Sequence, residues 1–376
     1  MVRINSSSLS VATFLPFTSH SLGDSFHFSN GSPFCYFSLR PFAGKRGFMV
    51  TLEEWQRWGS LSPLPTKVVD IIRNLELMAD EVDAPLTFGG KSGKLQSEFK
   101  VREDKKHRTT YDALQNPEEK IQFYSARQIG CRLIGSREYL CQKCWLPKEE
   151  DCMCSKINPV CLWNKIRIWV YMHPKEFLRQ NNTGKLLWQV FGVESATLCL
   201  FGVPEMEDMM WNALKMSGKE KVWCLYPSQS VEQKSLQDAL DPSFESEVNM
   251  GSEHDIMNFI LIDGTWSNSA AMFKRLKDQS KMIFGSDDLP CITLSTGLST
   301  MHKLRPQPSW DRTCTAAAGI GLLDELQLVP GLRCHGLEKQ AESLENSLVV
   351  LLQALTTRRL RMGRSITRKM RRGVNI

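Results

Sequence analysis

Residues 258–276 read NFILIDGTWSNSAAMFKRL. The run up to Asp263 is apolar on both faces of the alternation, which predicts a strand buried on both sides. Asp263-Gly264 is turn chemistry, and from Thr265 onward apolar residues return at helical spacing. An Asp at the carboxyl end of such a strand points into the crevice where open α/β sheets bind ligands. Thr265 or Ser267 is placed to cap the helix, whose N-terminus offers free backbone N–H groups. Trp266 offers a flat face for a base. Helix capping with a core tryptophan accounts for the same residues, so this stretch alone leaves both readings open.

The same alternation extends outward. IRIWVYM (166–172), ATLCLFG (196–202), KVWCLYP (221–227) and CITLS (291–295) are strand candidates, apolar on both faces. Helix candidates lie between and after them at 174–191, 205–217, 229–240, 266–280, 311–323 and 336–362. Alternating β and α segments of this kind predict an α/β fold, a mostly parallel sheet covered by helices.

The chain has 376 residues, 42% of them hydrophobic, and a net charge of +6. No stretch reaches the roughly 20 apolar residues of a membrane helix, so no membrane partner is expected. The charge is uneven. Residues 1–50 carry +3 and 358–376 carry +8, which leaves the body between them at −5. The basic tail TTRRLRMGRSITRKMRRGVNI (356–376) is either a solvated end or a phosphate-binding segment for RNA.

Residues 1–48 hold ten serines and one acid, the pattern of an organelle transit peptide. The scarcity of Arg before Arg40 favours a chloroplast over a mitochondrion, and Met49 offers an internal start for a cytosolic or nuclear form. The segment 49–136 is expected to be a helical extension, with an amphipathic helix in LPTKVVDIIRNLELMADEV (64–82), a mobile linker at 85–108 and helices at 109–136. A main domain over 137–357 and the basic tail from 358 complete the division.

Cys141, Cys144, Cys152 and Cys154 form C-x2-C-x7-C-x-C. Four thiolates so spaced can surround one Zn²⁺ tetrahedrally, and four protein ligands close the site, so the metal would be structural. The remaining cysteines scatter singly, several in apolar runs, as in a reducing compartment.

Two further segments carry chemistry-bearing residues. In YMHPKEFLRQNNTGKLL (171–187), His173 and Pro174 stand where a strand should end, and Asn182-Thr183-Gly184 marks a break and a restart. In LSTGLSTMHKLRPQPSWDRTCTAAAGIGLL (294–323), Arg305, Gln307 and Arg312 fall on a proline-stiffened loop before an Ala-rich helix. Turn chemistry and close helix packing explain these residues equally well when each segment is taken alone.

In order, the cysteine knuckle, HPKE…NTG, DGTW after a strand, R-x-Q-P and CTA resemble the DTW domain family over about residues 139–325. These are tRNA-uridine aminocarboxypropyltransferases related to the SPOUT-type S-adenosylmethionine enzymes. The resemblance implies a SPOUT-like fold with a knotted path, tRNA as partner, and S-adenosylmethionine as co-substrate. It implies transfer of the 3-amino-3-carboxypropyl group to N3 of a uridine, releasing methylthioadenosine. Asn182, Thr183, Gly184, Asp263, Thr265, Trp266 and Arg305 become the cofactor-binding candidates, with Arg305 clamping the methionine carboxylate. Asp263 is the first candidate for base or ammonium anchor, and His173 the second. The family commonly has Thr-x-Glu-Ala at the late helix, where this chain has Thr315-Ala316-Ala317-Ala318; Ala317 replaces the acid. The residues 50–136 look like an addition to the core.

Two rivals have different outputs: methyl transfer from the same co-substrate, and a non-enzymatic zinc-containing RNA-binding or ribosome-assembly protein. Neither a P-loop nor G-x-G-x-x-G after a strand is present, which speaks against NTPase and dehydrogenase classes.

Overall fold

The computed structural model describes residues 49–84, 86–89, 94–226, 234–240, 256–285, 289–294 and 313–364. The N-terminal part consists of α1 (Leu52–Arg57), α2 (Thr66–Val82), a short antiparallel hairpin β1 (Phe88–Gly89) and β2 (Lys94–Leu95), α3 (Ser97–Ala113) and α4 (Pro117–Ser136). After the cysteine segment come β3 (Ile166–Met172), α5 (Lys185–Phe191), β4 (Ala196–Leu200), α6 (Pro204–Ser217), β5 (Val222–Leu225), β6 (Lys234–Ser235) and α7 (Leu236–Ala239). Then follow β7 (Met257–Asp263), α8 (Trp266–Phe284), β8 (Cys291–Thr293), α9 (Thr315–Leu326) and α10 (Leu337–Arg361).

The sheet order is β4-β3-β7-β5-β8-β6, and every pairing is parallel. Its central strands are buried along nearly their whole length, as two-sided apolar runs require. Helices α5, α9 and α10 pack on one another, and α6 on α8, so two helical layers cover the sheet. The expected α/β class is therefore observed. Among the described residues no helix is long and apolar enough to cross a membrane.

The order of strands locates a crevice. From β3 the chain moves through α5 to β4 on one side; from β7 it moves through α8 toward β8 on the other. β3 and β7 are neighbours, with Met172 opposite Asp263. Where connections from adjacent parallel strands diverge, the carboxyl ends leave an opening for a ligand.

Three expected segments need correction; over 229–240 the described residues form β6 and only the one-turn helix α7. The supposed linker at 85–108 contains the hairpin and most of α3. That helix buries only Phe99 and Glu103, and it is held through ion pairs of Glu103 and Asp104 with Arg127 on α4. Hydrophobic periodicity does not register a helix fixed by charge. The helix expected over 174–191 forms only from Lys185, because the preceding residues turn repeatedly; Leu178, fully buried, has φ +56°. A branched side chain in that region is strained and needs its surroundings to hold it.

The extension packs against the main body. Trp55 and Trp58 are buried, Trp55 lies 6.1 Å from Phe177, and the Thr66 N–H donates to Glu205 at 2.8 Å. Gly59, at φ +109°, lies so close to Trp188 that a Cβ would stand 2.6 Å from the indole. Arg275 on α8 joins Glu118 of α4 to Glu207 of α6.

The basic tail also differs from its reading as eight uncompensated charges. α10 continues to Arg361; Arg358 donates to Asp151 at 3.1 Å and to Tyr139 at 2.7 Å, and Arg361 pairs with Glu150 and Asp151. The acids lie more than 200 positions earlier, so counting charge along the tail could not find them. Residues 365–376 and 1–48 lie outside the described residues.

Candidate functional site

The site begins with Asp263, the last residue of β7, which is 6% exposed at the carboxyl edge of the sheet. Asn182 Nδ2 donates to Asp263 Oδ2 at 2.8 Å, while Asn182 Oδ1 accepts from the Lys185 N–H at 3.1 Å. One amide thus links the end of β7 to the first turn of α5. Gly184 stands between them. A Cβ there would lie 2.2 Å from Asp263 Oδ2 and 3.1 Å from Val170. Glycine is required for space here, since its backbone is ordinary right-handed helix.

His173 follows β3 directly, and its backbone N–H donates to the Asp263 carbonyl at 2.8 Å. Its Nδ1 accepts the Lys175 N–H at 3.1 Å, which assigns the proton to Nε2. The ring stacks on Phe201 at 5.9 Å and meets Tyr124 at 6.3 Å. Burial pushes its pKa down to about 4, and the charges of Lys175 and Arg132 act the same way. At neutral pH the imidazole is uncharged and presents a donor, not a base, on its outer nitrogen.

Thr183 brings in a third element. Its hydroxyl accepts the Ala316 N–H at 3.4 Å from the first turn of α9. Cys314, the N-cap residue of α9, is raised by burial; the Thr183 hydroxyl opposes that shift, and the charge of Asp263 adds to it. Ala316 and Ala317 are buried, and Gly319 admits Leu187 of α5 so closely that a Cβ would lie 2.7 Å from it. The Ala-rich helix head is therefore both close packing and part of the site wall.

Thr265 occupies the N-cap position of α8, but its hydroxyl is hydrogen-bonded to Ser267 at 3.0 Å and caps no backbone N–H. The expected side-chain cap is absent. The side chain of Trp266 and residues Arg305, Gln307 and Arg312 lie outside the described residues.

The cysteine segment forms a separate centre. Cys141, Cys144, Cys152 and Cys154 place their Sγ atoms within 4.8 Å of one another. The Cys141–Cys154 and Cys144–Cys152 separations are 3.6 and 3.9 Å. A Zn–S bond of about 2.3 Å with tetrahedral angles requires sulfur separations of about 3.8 Å, so the four residues fit a zinc ion. The turn is tight: Trp145 N–H donates to Cys141 O at 2.9 Å, Cys141 N–H to Leu146 O at 2.8 Å, and Trp145 has φ +56°. Hydrogen bonding among the thiols pushes Cys141 down and Cys144 and Cys154 up, so the cluster shares its protons until a metal displaces them.

The two centres are joined by packing. Trp145 touches Phe177 and Trp188, each at 5.4 Å. Lys185, fully buried, donates from Nζ to Gln180 O at 2.7 Å and stands 5.9 Å from the Trp145 ring. Burial pushes its pKa down to about 7, against the pull of the nearby thiols.

Sequence reasoning brought Asp263, His173, Asn182, Thr183 and Gly184 to notice, and the fold gathers all five. It missed Cys314, although the C-T-A run contains it. It also missed Tyr124 and Arg132, which reach His173 from α4 and carry no local sign of doing so.

No solved structure matches this chain. The family model of the DTW domain matches residues 138–360, more than half of the sequence, starting at the knuckle and ending within α10. With the Asp263-Gly264-Thr265-Trp266 turn at the sheet edge, the Asn182-Thr183-Gly184 break beside it and the four-cysteine knuckle packed behind, this chain belongs to the DTW domain family.

Proposed function

We propose that this protein transfers the 3-amino-3-carboxypropyl group of S-adenosylmethionine to N3 of a uridine in tRNA. Membership of the DTW family is consistent with a tRNA-modifying transferase. The observation that carries the finer reading is the buried Asp263 carboxylate, held by Asn182 and crowded by Gly184 where the connections leaving the paired strands β3 and β7 diverge.

S-adenosylmethionine supplies an electrophilic γ-carbon beside a sulfonium leaving group. Asp263 accepts the N3 proton, or it holds the ammonium group of the amino acid moiety while the N3 proton passes to water. The N3 electron pair forms the new N–C bond while the γ-carbon–sulfur pair returns to sulfur, which leaves as a neutral thioether. Neutral His173, with Nε2–H outward, donates a hydrogen bond to a uridine carbonyl on which charge develops. Zinc at the knuckle would be structural, since four protein ligands leave no open position. Arg305 belongs to this reading as the carboxylate clamp, and residues 1–48 as a plastid address.

The test is nucleoside mass spectrometry of unmodified tRNA incubated with the protein and S-adenosylmethionine. A uridine gaining one aminocarboxypropyl group, with methylthioadenosine released, is expected. A methyl gain would replace the proposed transfer, and tRNA binding without any modified nucleoside would reduce the protein to an RNA-binding role.

A further inference from the structure

Helix α4 lies before residue 138, outside the matched family region, yet it reaches the site. One face, Ser125, Ala126, Ile129, Gly130, Leu133 and Ile134, is buried. Gly130 presses on α2 so tightly that a Cβ would stand 2.9 Å from Ile71, which fixes the helix in rotation. Another face therefore has a fixed direction. It carries Lys120, Tyr124, Gln128 and Arg132 at four-residue intervals, all half-buried.

These side chains interleave cations and aromatic rings. Lys120 Nζ lies 5.4 Å from the Tyr111 ring, Lys175 Nζ lies 5.5 Å from the Tyr124 ring, and Tyr124 meets His173. Arg132 donates to Phe177 O at 2.8 Å, at the turn that carries His173. The neighbouring acids are mostly engaged: Glu103 and Asp104 hold Arg127, and Glu118 holds Arg275. Asp112 and Glu119 are exposed near the far end. From Lys120 to Arg132 the strip is about 18 Å long at 1.5 Å per residue, room for about five stacked nucleotides.

We propose that this face of α4 is an RNA-binding strip, which holds the unpaired nucleotides flanking the target uridine and leads them to His173 and Asp263. Half-buried rings with adjacent cations suit single-stranded RNA, in which a base stacks on the exposed part of an aromatic ring and phosphates meet the ammonium groups. The proposal rests on the transferase reading for its substrate, but it makes a separate claim about where that substrate lies.

The experiment measures binding of the full-length protein to a labelled, unmodified tRNA transcript across a salt series, beside the transfer assay. Tyr124→Ala should weaken binding about tenfold or more, and Tyr124→Phe should restore it to within about twofold. Lys120→Ala should reduce the salt slope by about 0.7. Thermal melting and zinc content should stay at wild-type values, and a duplex RNA of equal length should show no Tyr124 dependence. If the wild type transfers but Tyr124→Ala and Lys120→Ala bind and titrate like it, the strip is wrong and the transferase reading stands. If the wild type binds through the strip but transfers nothing, the transferase reading fails and the strip stands. A wild type that binds no tRNA overturns both.

Discussion

Gly184 and Asp263 are in contact: a Cβ on Gly184 would lie 2.2 Å from the Asp263 carboxylate oxygen that accepts the Asn182 amide. The glycine of one motif thus exists to make room for the acid of the other. Gly184→Ala should lower stability by about 1–3 kcal/mol through overpacking and abolish transfer by displacing Asp263. In an Asp263→Ala background the stability cost should largely vanish, while activity should not return. Equal melting penalties in both backgrounds would show that the contact does not matter.

Asp263→Asn keeps the size and the hydrogen bond from Asn182 but removes charge and basicity. Transfer should fall at least ~100-fold, the low end for loss of a general base, with fold and zinc retained. Because the Thr265 hydroxyl caps nothing, Thr265→Val should change stability by only about 0.5 kcal/mol. Normal turnover of Asp263→Asn would make the segment a structural turn.

Zinc should copurify in one equivalent, and Cys141→Ser should lose it and melt at lower temperature. Cys161→Ser, exposed and outside the cluster, should do neither. Metal analysis with calorimetry decides, and a metal-free protein with wild-type melting would remove zinc from the account.

His173 is neutral in the fold down to about pH 4, whereas in the unfolded chain it takes up a proton near pH 6.5. Between those values the unfolded state binds more protons, so stability rises with pH and falls on acidification. This residue alone should account for about 2–3 kcal/mol lost from pH 6.5 to 4, and His173→Gln should flatten that part of the profile. Parallel denaturation profiles for the two proteins would contradict it.

Arg358 is 7% exposed and meets the buried Asp151 beside the knuckle. Arg358→Ala should cost about 1–3 kcal/mol, short of a fully unpaired charge because Arg361 also reaches Asp151. Removing 365–376 should leave melting unchanged and flatten the salt dependence of tRNA binding. A truncation that melts early, or an Arg358→Ala that does not, would reverse this division of the tail.

The α/β class, the long strands and several of the helices could be read from the residues alone. Strands 166–172 and 258–263 were legible because burial on both faces leaves a short unbroken apolar run, and the long helix ending near 361 because a buried stripe writes a helical period. The knuckle was legible because its four ligands lie within fourteen residues. The folded chain was needed to show that Asp263 and Asn182 share a hydrogen bond across 81 positions, and that Gly184 must be small. It alone placed Tyr124 and Arg132 of the extension beside His173, and gave Arg358 to Asp151. Those relationships depend on which strands become neighbours and how helices cross them, and no local period encodes that; distant side chains acquire partners only once the sheet order is set.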